Sequence, residues 1–244
     1  MSSRHALRQA GLVYGATSIV TCALVWASRG RPSAEWASLA IAALFFWGSL
    51  RLAQADRRGV AHFGLSLGGW LEPPAQDSGA SGLWHSLRAS LGSGLKESGI
   101  ALLVVTVIFP PFALFFPYWH PPQHAFHLRF PEAPWSLLAS HLLLVALPEE
   151  SLFRGYFQTR LSDVWPRQVR VLGVSTPLYA WLMQAFGFGL LHALVDLNPA
   201  RLVVFFPGLL FGWLRAWRGG IGAAIVVHAL SNFYAETLVR GWFG

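Results

Sequence analysis

Three short stretches of this chain set ionisable or amide side chains into otherwise apolar sequence. The first reads Pro148-Glu149-Glu150-Ser-Leu-Phe-Arg154 and follows the run Leu-Leu-Leu-Val-Ala-Leu. Glu150 and Arg154 stand four residues apart, the spacing of a same-face ion pair on a helix. Glu149 lies about 100° further round, so the spacing predicts that the two carboxylates do not face one partner. Arg154 then neutralises one while the other faces elsewhere, and two carboxylates in unlike environments are what acid–base chemistry needs. The second stretch is Phe188-Gly-Leu-Leu-His192-Ala-Leu-Val-Asp196. Its glycines permit close helix approach, and Asp196, one turn on, is placed to orient the imidazole. The third is His228-Ala-Leu-Ser-Asn232, with both polar groups on one helix face and costly to bury without partners. Each stretch has a plainer explanation: a helix end at the headgroups, a packed core histidine beside a solvated carboxylate, and hydrogen bonds between helices.

The elements that carry these residues are membrane spans. The chain of 244 residues is 54% hydrophobic and only 12% charged, with a mean hydropathy of +0.46. A soluble domain carries about a quarter charged residues. Spans of ~20 apolar residues are expected at Gln9–Ala27, Ala34–Leu52, Ser98–Trp119, Pro134–Leu161, Pro177–Leu194, Arg201–Trp217 and Ile221–Val239. That makes an all-α polytopic transmembrane bundle of about seven spans, or eight if the Gly-, Ser- and Pro-rich stretch 59–97 hides another or a re-entrant segment. This stretch reads as a cytoplasmic-side connector with an interfacial helix around Leu83–Leu95. Pro110-Pro111 should break or kink the third span. The chain divides into N-terminal spans and connector, 1–97, and a catalytic core, 98–244, within one membrane domain. No repeat and no soluble domain is visible.

The net charge of +7 does not indicate nucleic acid, because the basic residues are scattered singly rather than gathered in a stripe. With seven alternating spans, twelve Lys and Arg fall on the side of the N-terminus and five on the other, which predicts a cytoplasmic N-terminus. Tryptophans 26, 36, 119, 135, 165 and 217 lie near span ends, where amphipathic rings favour the membrane–water interface. The lone Cys22 excludes an intramolecular disulfide. The second span follows the first within a few residues, so an uncleaved first helix is expected.

Depth ties the polar groups together. At ~1.5 Å per residue, Glu149 lies roughly 20 Å down its span, with His228 about 12 Å and His192 about 20 Å from the inner surface. All three fall in the middle of a core of ~30 Å.

The ordered triple Glu149-Glu150-x-x-x-Arg154, Phe188-x-x-x-His192 and His228-x-x-x-Asn232 resembles the CPBP family, the CaaX-protease and bacteriocin-processing (Abi) membrane proteins, over about Leu137–Tyr234. The resemblance implies hydrolysis of a peptide bond within the membrane, near the C-terminal tail of a membrane-anchored or lipid-modified protein. Glu149 would be the general base, aided by His192, while His228 and Asn232 would donate to the developing oxyanion and Glu150 and Arg154 would support them. A base working near neutrality needs a carboxylate made more basic by an apolar setting. The family has also been described as metalloproteases, so Glu149, His192 and His228 form the alternative zinc set. HExxH is absent, and Asn232 suits an oxyanion hole better than a ligand sphere, which favours a metal-independent glutamic-type enzyme. Some bacterial members resemble sorting proteases of the myxosortase type, and the implied location is a bacterial inner membrane. The competing readings are a non-catalytic bacteriocin-immunity or scaffold protein and a small transporter with a proton relay. The transporter predicts paired broken helices, and none is visible in the sequence.

Overall fold

The computed structural model describes residues 3–69, 80–119, 121–122 and 124–244. Helix α1 spans Ser3–Ser28, α2 Ala34–Gln54, and the short α3 Gly59–His62. Helix α4 runs for 40 residues, Ala80–Trp119. Helix α5, Pro134–Val164, is followed by a hairpin of β1, Gln168–Val171, and β2, Val174–Pro177. Helix α6 is Leu178–Asp196, α7 is Pro199–Arg218 with a 3-10 opening turn, and α8 is Gly222–Phe243.

Helices α1, α2, α4, α5, α6 and α7 each contain a stretch long and apolar enough to cross a membrane. The expected seventh span is present as α8, outside that set, and it carries His228, Ser231, Asn232 and Glu236. The protein is an all-α polytopic bundle and an integral membrane protein. Leu102, Leu103, Val107, Leu114 and Phe115 of α4 lie exposed. Such a contiguous apolar face suits lipid rather than water.

Helix α5 is the axis of the bundle, buried without interruption from Ser151 to Leu161. Phe153 and Phe157 pack with Phe188, Phe211 and Val227, while Tyr156 packs with Phe63, Ile221 and Ile225. Two π-helical segments, His141–Ala146 and Ser151–Phe157, flank the short α-helical segment Leu147–Glu150. Pro148 has no N–H to donate and crowds the preceding turn, which favours such a bulge. Helices α5 and α7 lie in step: Gln158 Nε2 donates to the Gly212 carbonyl and Arg154 Nη2 to that of Gly208. Gly208 and Gly212 form a small-xxx-small pair that lets helices approach closely. A Cβ at Gly208 would stand 3.2 Å from the Ala185 backbone, and one at Gly212 would overlap Gln184 and Trp181.

Two sequence expectations change. The interfacial helix at Leu83–Leu95 and the third span are one continuous helix, α4, which passes through Pro110, Pro111 and Pro117. Phe109 stacks on Tyr234 of α8 at 4.2 Å, and the Tyr234 hydroxyl donates to the Phe109 carbonyl. Membrane helices tolerate proline where neighbouring groups satisfy the freed backbone. Residues 70–79 of the connector lie outside the described residues, and no eighth span occurs among those described. The hairpin was not expected. Its two-residue turn, Leu172-Gly173, has φ of 48° and 82°, the left-handed geometry of a tight hairpin. Trp213 Nε1 fastens it to α7 by donating to the Val171 carbonyl.

At the end of the bundle that holds the start of α1, charged side chains strap the α2–α3 turn to α5. Arg160 Nη1 donates to Asp56 at 2.7 Å, and Arg58 bridges Asp56 and Asp163 at 3.0 and 2.7 Å. Arg58, then Arg160, holds the Asp56 carboxyl well below the usual carboxylate range. A carboxyl so shifted stabilises the fold above its unfolded-state pKa of ~3.9 and loses that contribution as pH falls toward the folded value. Because Arg58 faces solvent, Asp56→Asn should cost only about 1 kcal/mol. Thermal unfolding in detergent should show a melting temperature roughly 2–4 °C below that of the unmodified protein. This gap should stay constant from pH 7 to about 4 and narrow below it; a gap that widens on acidification would contradict the assignment.

Candidate active site

Arg154 is fully buried in the second π-segment, where water cannot solvate it. Its charge is met from several sides. Nη1 donates to Glu150 Oε1 at 2.9 Å and Nη2 to the Gly208 carbonyl at 3.3 Å. The guanidinium carbon stands 4.2 Å from the centre of the Phe188 ring and 5.0 Å from that of Phe211. Desolvated cation–π contacts of this kind contribute on the order of 2 kcal/mol.

Glu150 is equally buried and takes a second donor from α8. His228 Nδ1 lies 2.8 Å from the same Oε1. A carboxylate only accepts, so Nδ1 carries the hydrogen, and the other ring nitrogen is turned away from Glu150. That nitrogen, Nε2, lies 3.7 Å from Glu149 Oε2. The imidazole is held flat against Phe211, at 4.8 Å between ring centres and 14° between planes. The two glutamates therefore differ in access: the side chain of Glu150 is 0% exposed and that of Glu149 is 21% exposed. Glu149 Oε2 has no hydrogen-bond partner among the described residues. Glu150 Oε2 is also unpartnered, but its side chain is sealed, so Glu149 is the carboxylate that an incoming proton donor can reach.

The expected Glu150–Arg154 pair forms, but the expectation that the two carboxylates cannot face one partner does not hold. The imidazole offers a nitrogen on each edge and reaches both. His192 lies beside the group rather than in its hydrogen-bond network. Its ring packs on Phe188 at 4.6 Å, Phe188 in turn lies 5.9 Å from the ring of His228, and His192 Nδ1 donates to the Phe188 carbonyl at 2.9 Å. Asp196 does not orient it. That carboxylate pairs with Arg201 at 2.7 Å, where the chain leaves α6. Asn232 is half-buried one turn beyond His228.

Residues 131–234 match the family model of the type II CAAX prenyl endopeptidases, Rce1-like. Over these residues the chain is similar to the Rce1-like family. No curated protein and no solved structure matches it. The Rce1-like segment begins just ahead of α5 and ends in α8, so it contains Glu149, Glu150, Arg154, His192, His228 and Asn232. The family is one of CAAX-type intramembrane endopeptidases acting on membrane-associated substrates.

The alternative weighed from the sequence has Glu149, His192 and His228 as a zinc set. Among the described residues no three His, Cys, Asp or Glu side chains are disposed to hold a metal ion. Nδ1 of His192 is engaged by the Phe188 carbonyl and Nδ1 of His228 by Glu150, which leaves Nε2 of each ring as its free nitrogen. The Rce1-like segment also holds supporting groups that the motifs leave out. Gln184, buried on α6, donates to the Gly208 carbonyl that Arg154 also uses. Phe211 supports both Arg154 and His228. The sequence signal for these was Gly208-Leu-Leu-Phe-Gly212, a small-xxx-small motif with an aromatic inside it.

Removing one member of a buried ion pair leaves an uncompensated charge, at a cost of about 3–5 kcal/mol, whereas replacing both is often nearly neutral. Arg154→Met should therefore lower the detergent melting temperature sharply, and the double variant Glu150→Gln/Arg154→Met should recover most of the loss. Equal destabilisation in the single and double variants would contradict this pairing.

Proposed function

We propose that the protein is a glutamic-type intramembrane endopeptidase that cuts near the C-terminal tail of a membrane-anchored or lipid-modified protein. The observation that carries this reading is Glu149 Oε2, buried and unpartnered, facing a histidine that a second carboxylate and an arginine hold in place. In the proposed reaction Glu149 takes a proton from water, and the hydroxide attacks the scissile carbonyl. The same carboxyl later delivers that proton to the leaving amine. His228 donates to the oxyanion from Nε2, and since its Nδ1 hydrogen is committed to Glu150, it does so as an imidazolium. In that form Glu149, Glu150, Arg154 and His228 sum to zero charge, which suits a site within a bilayer. Asn232 supplies the second oxyanion donor, and each such donor contributes roughly 2.7–4 kcal/mol. His192 aids the base by packing on Phe188 and restricting the water's position. No step requires a metal.

The excess of basic residues at the end of the bundle that holds the start of α1 supports a cytoplasmic N-terminus, and we assign the protein to a bacterial inner membrane. The family's own description makes a prenylated CAAX tail the first substrate to try, and an unprenylated apolar sorting tail of the myxosortase type the second. A non-catalytic immunity or scaffold role would keep the cluster only for packing.

Purified protein in detergent or vesicles should cleave one of these tails. Glu149→Gln should lower kcat by about 10³-fold, within the range for loss of a positioned base, while the melting temperature stays near that of the unmodified protein. EDTA should leave turnover unchanged. Cleavage that survives Glu149→Gln, or that needs stoichiometric zinc, would overturn the mechanism.

A further inference from the structure

His141 opens the first π-segment of α5, eight residues before Glu149, and no part of the proposed chemistry uses it. Both ring nitrogens are sealed from solvent, and neither has a hydrogen-bond partner among the described residues. An unsatisfied buried donor or acceptor costs about 1–3 kcal/mol, so a position that keeps two of them unpaired is suited to a partner that arrives from outside. The ring is close enough to His228 and Glu236 for their charges to act on it. Eight residues on an unbroken α-helix would leave His141 about 80° round the axis from Glu149. The π-turn between them bonds i to i+5 and rotates less per residue, which swings His141 toward the side of Glu149.

The surroundings continue this polar line. On α8, His228, Asn232 and Glu236 follow one another at four-residue steps, each turning about 40° round the axis. Glu236 pairs with Arg240 at 2.9 Å. Arg240 lines a cavity of about 520 Å³ that Glu132, Ser136 and Ser140 also line, at the end of the bundle where α5 begins. Hydrogen-bonding groups thus run from this cavity, past His141, to the two glutamates, along the seam between α5 and α8.

We propose that His141 is a substrate-binding residue: its two ring nitrogens hydrogen-bond the backbone of an extended peptide that lies in the α5–α8 seam and reaches Glu149 from the Ser136–Ser140 cavity. A backbone amide offers one donor and one acceptor, which matches an imidazole with one of each. The proposal rests on the endopeptidase reading and deepens it by naming a contact for the substrate's main chain.

The test uses the full-length protein and the tail peptide that the unmodified protein cleaves. His141→Phe should raise KM at least ten-fold and leave kcat within about three-fold, and His141→Gln, which keeps a donor and an acceptor, should restore most of KM. A merely structural histidine would not give this split or this rescue. A second arm needs no turnover. In the Glu149→Gln background, fluorescence anisotropy of the labelled peptide should show at least ten-fold weaker binding when His141→Phe is added. Unchanged KM and affinity, a loss confined to kcat, or no difference between the Phe and Gln variants would overturn the proposal. Should His141→Phe lose its thermal transition, His141→Ala carries the same comparison with His141→Gln. If Glu149→Gln still cleaves, the mechanism proposed above falls, while peptide affinity with and without His141 still decides this one.

Discussion

A guanidinium that cannot reach water governs the arrangement of this bundle. Arg154 is fully buried on the central helix, and a charge left alone at such a depth would cost several kcal/mol. The neighbouring structure can be understood as the means of keeping it there. Glu150 supplies the counter-charge one helical step away, and the Gly208 carbonyl takes a second N–H. Phe188 and Phe211 present ring faces where solvent would otherwise be. None of these contacts could form unless α6 and α7 came very close to α5, which is why glycine stands at 208 and 212. The ion pair thereby fixes which helices meet, and the meeting of helices fixes the position of His228.

The same constraint separates two adjacent glutamates. Glu150 holds a guanidinium and an imidazole on one oxygen, leaves the other unpartnered among the described residues, and has no exposure. Glu149, one residue earlier, has no cation at hydrogen-bond distance and retains partial access. Adjacent residues on a helix point about 100° apart, and here that rotation carries a carboxylate from the sealed interior to the edge of the seam. His228 joins the two by using opposite edges of its ring. Proton chemistry at Glu149 is in this way coupled to the counter-charge of Arg154 through a single side chain.

Much of this was legible from residue types and spacing. Apolar runs mark the spans, four-residue spacing marks the Glu150–Arg154 pair, and all three motifs fall within the Rce1-like segment. What escaped had identifiable physical causes. The rotation argument treated a partner as a point and missed a ring with two working edges. Asp196 is one turn from His192 along the chain, but α6 ends there and Arg201 from the next turn competes for the carboxylate. Proline was expected to break or kink the third span; α4 does not break there, and it packs against α8 at Phe109. The π-segments have no simple sequence code beyond Pro148, and they alter the angular bookkeeping on which helix-face arguments depend.

That last point bears on how a membrane bundle can carry polar chemistry at all. A straight α-helix spreads residues eight apart over different faces, so a polar column along it would soon turn toward lipid. Widening the turns of α5 on either side of Glu149-Glu150 keeps polar positions facing α8 over a longer distance. Helix α8 carries its own polar groups at four-residue steps, each turning about 40° round the axis. Two helices that hold polar faces toward each other need no charged group on the lipid side. The surface of α4 shows the complement: its large exposed side chains through the middle of the span, Leu102, Leu103, Val107, Phe112, Leu114 and Phe115, are apolar. The apolar exterior and the polar seam are two consequences of one requirement, that every buried charge find its partner within the bundle.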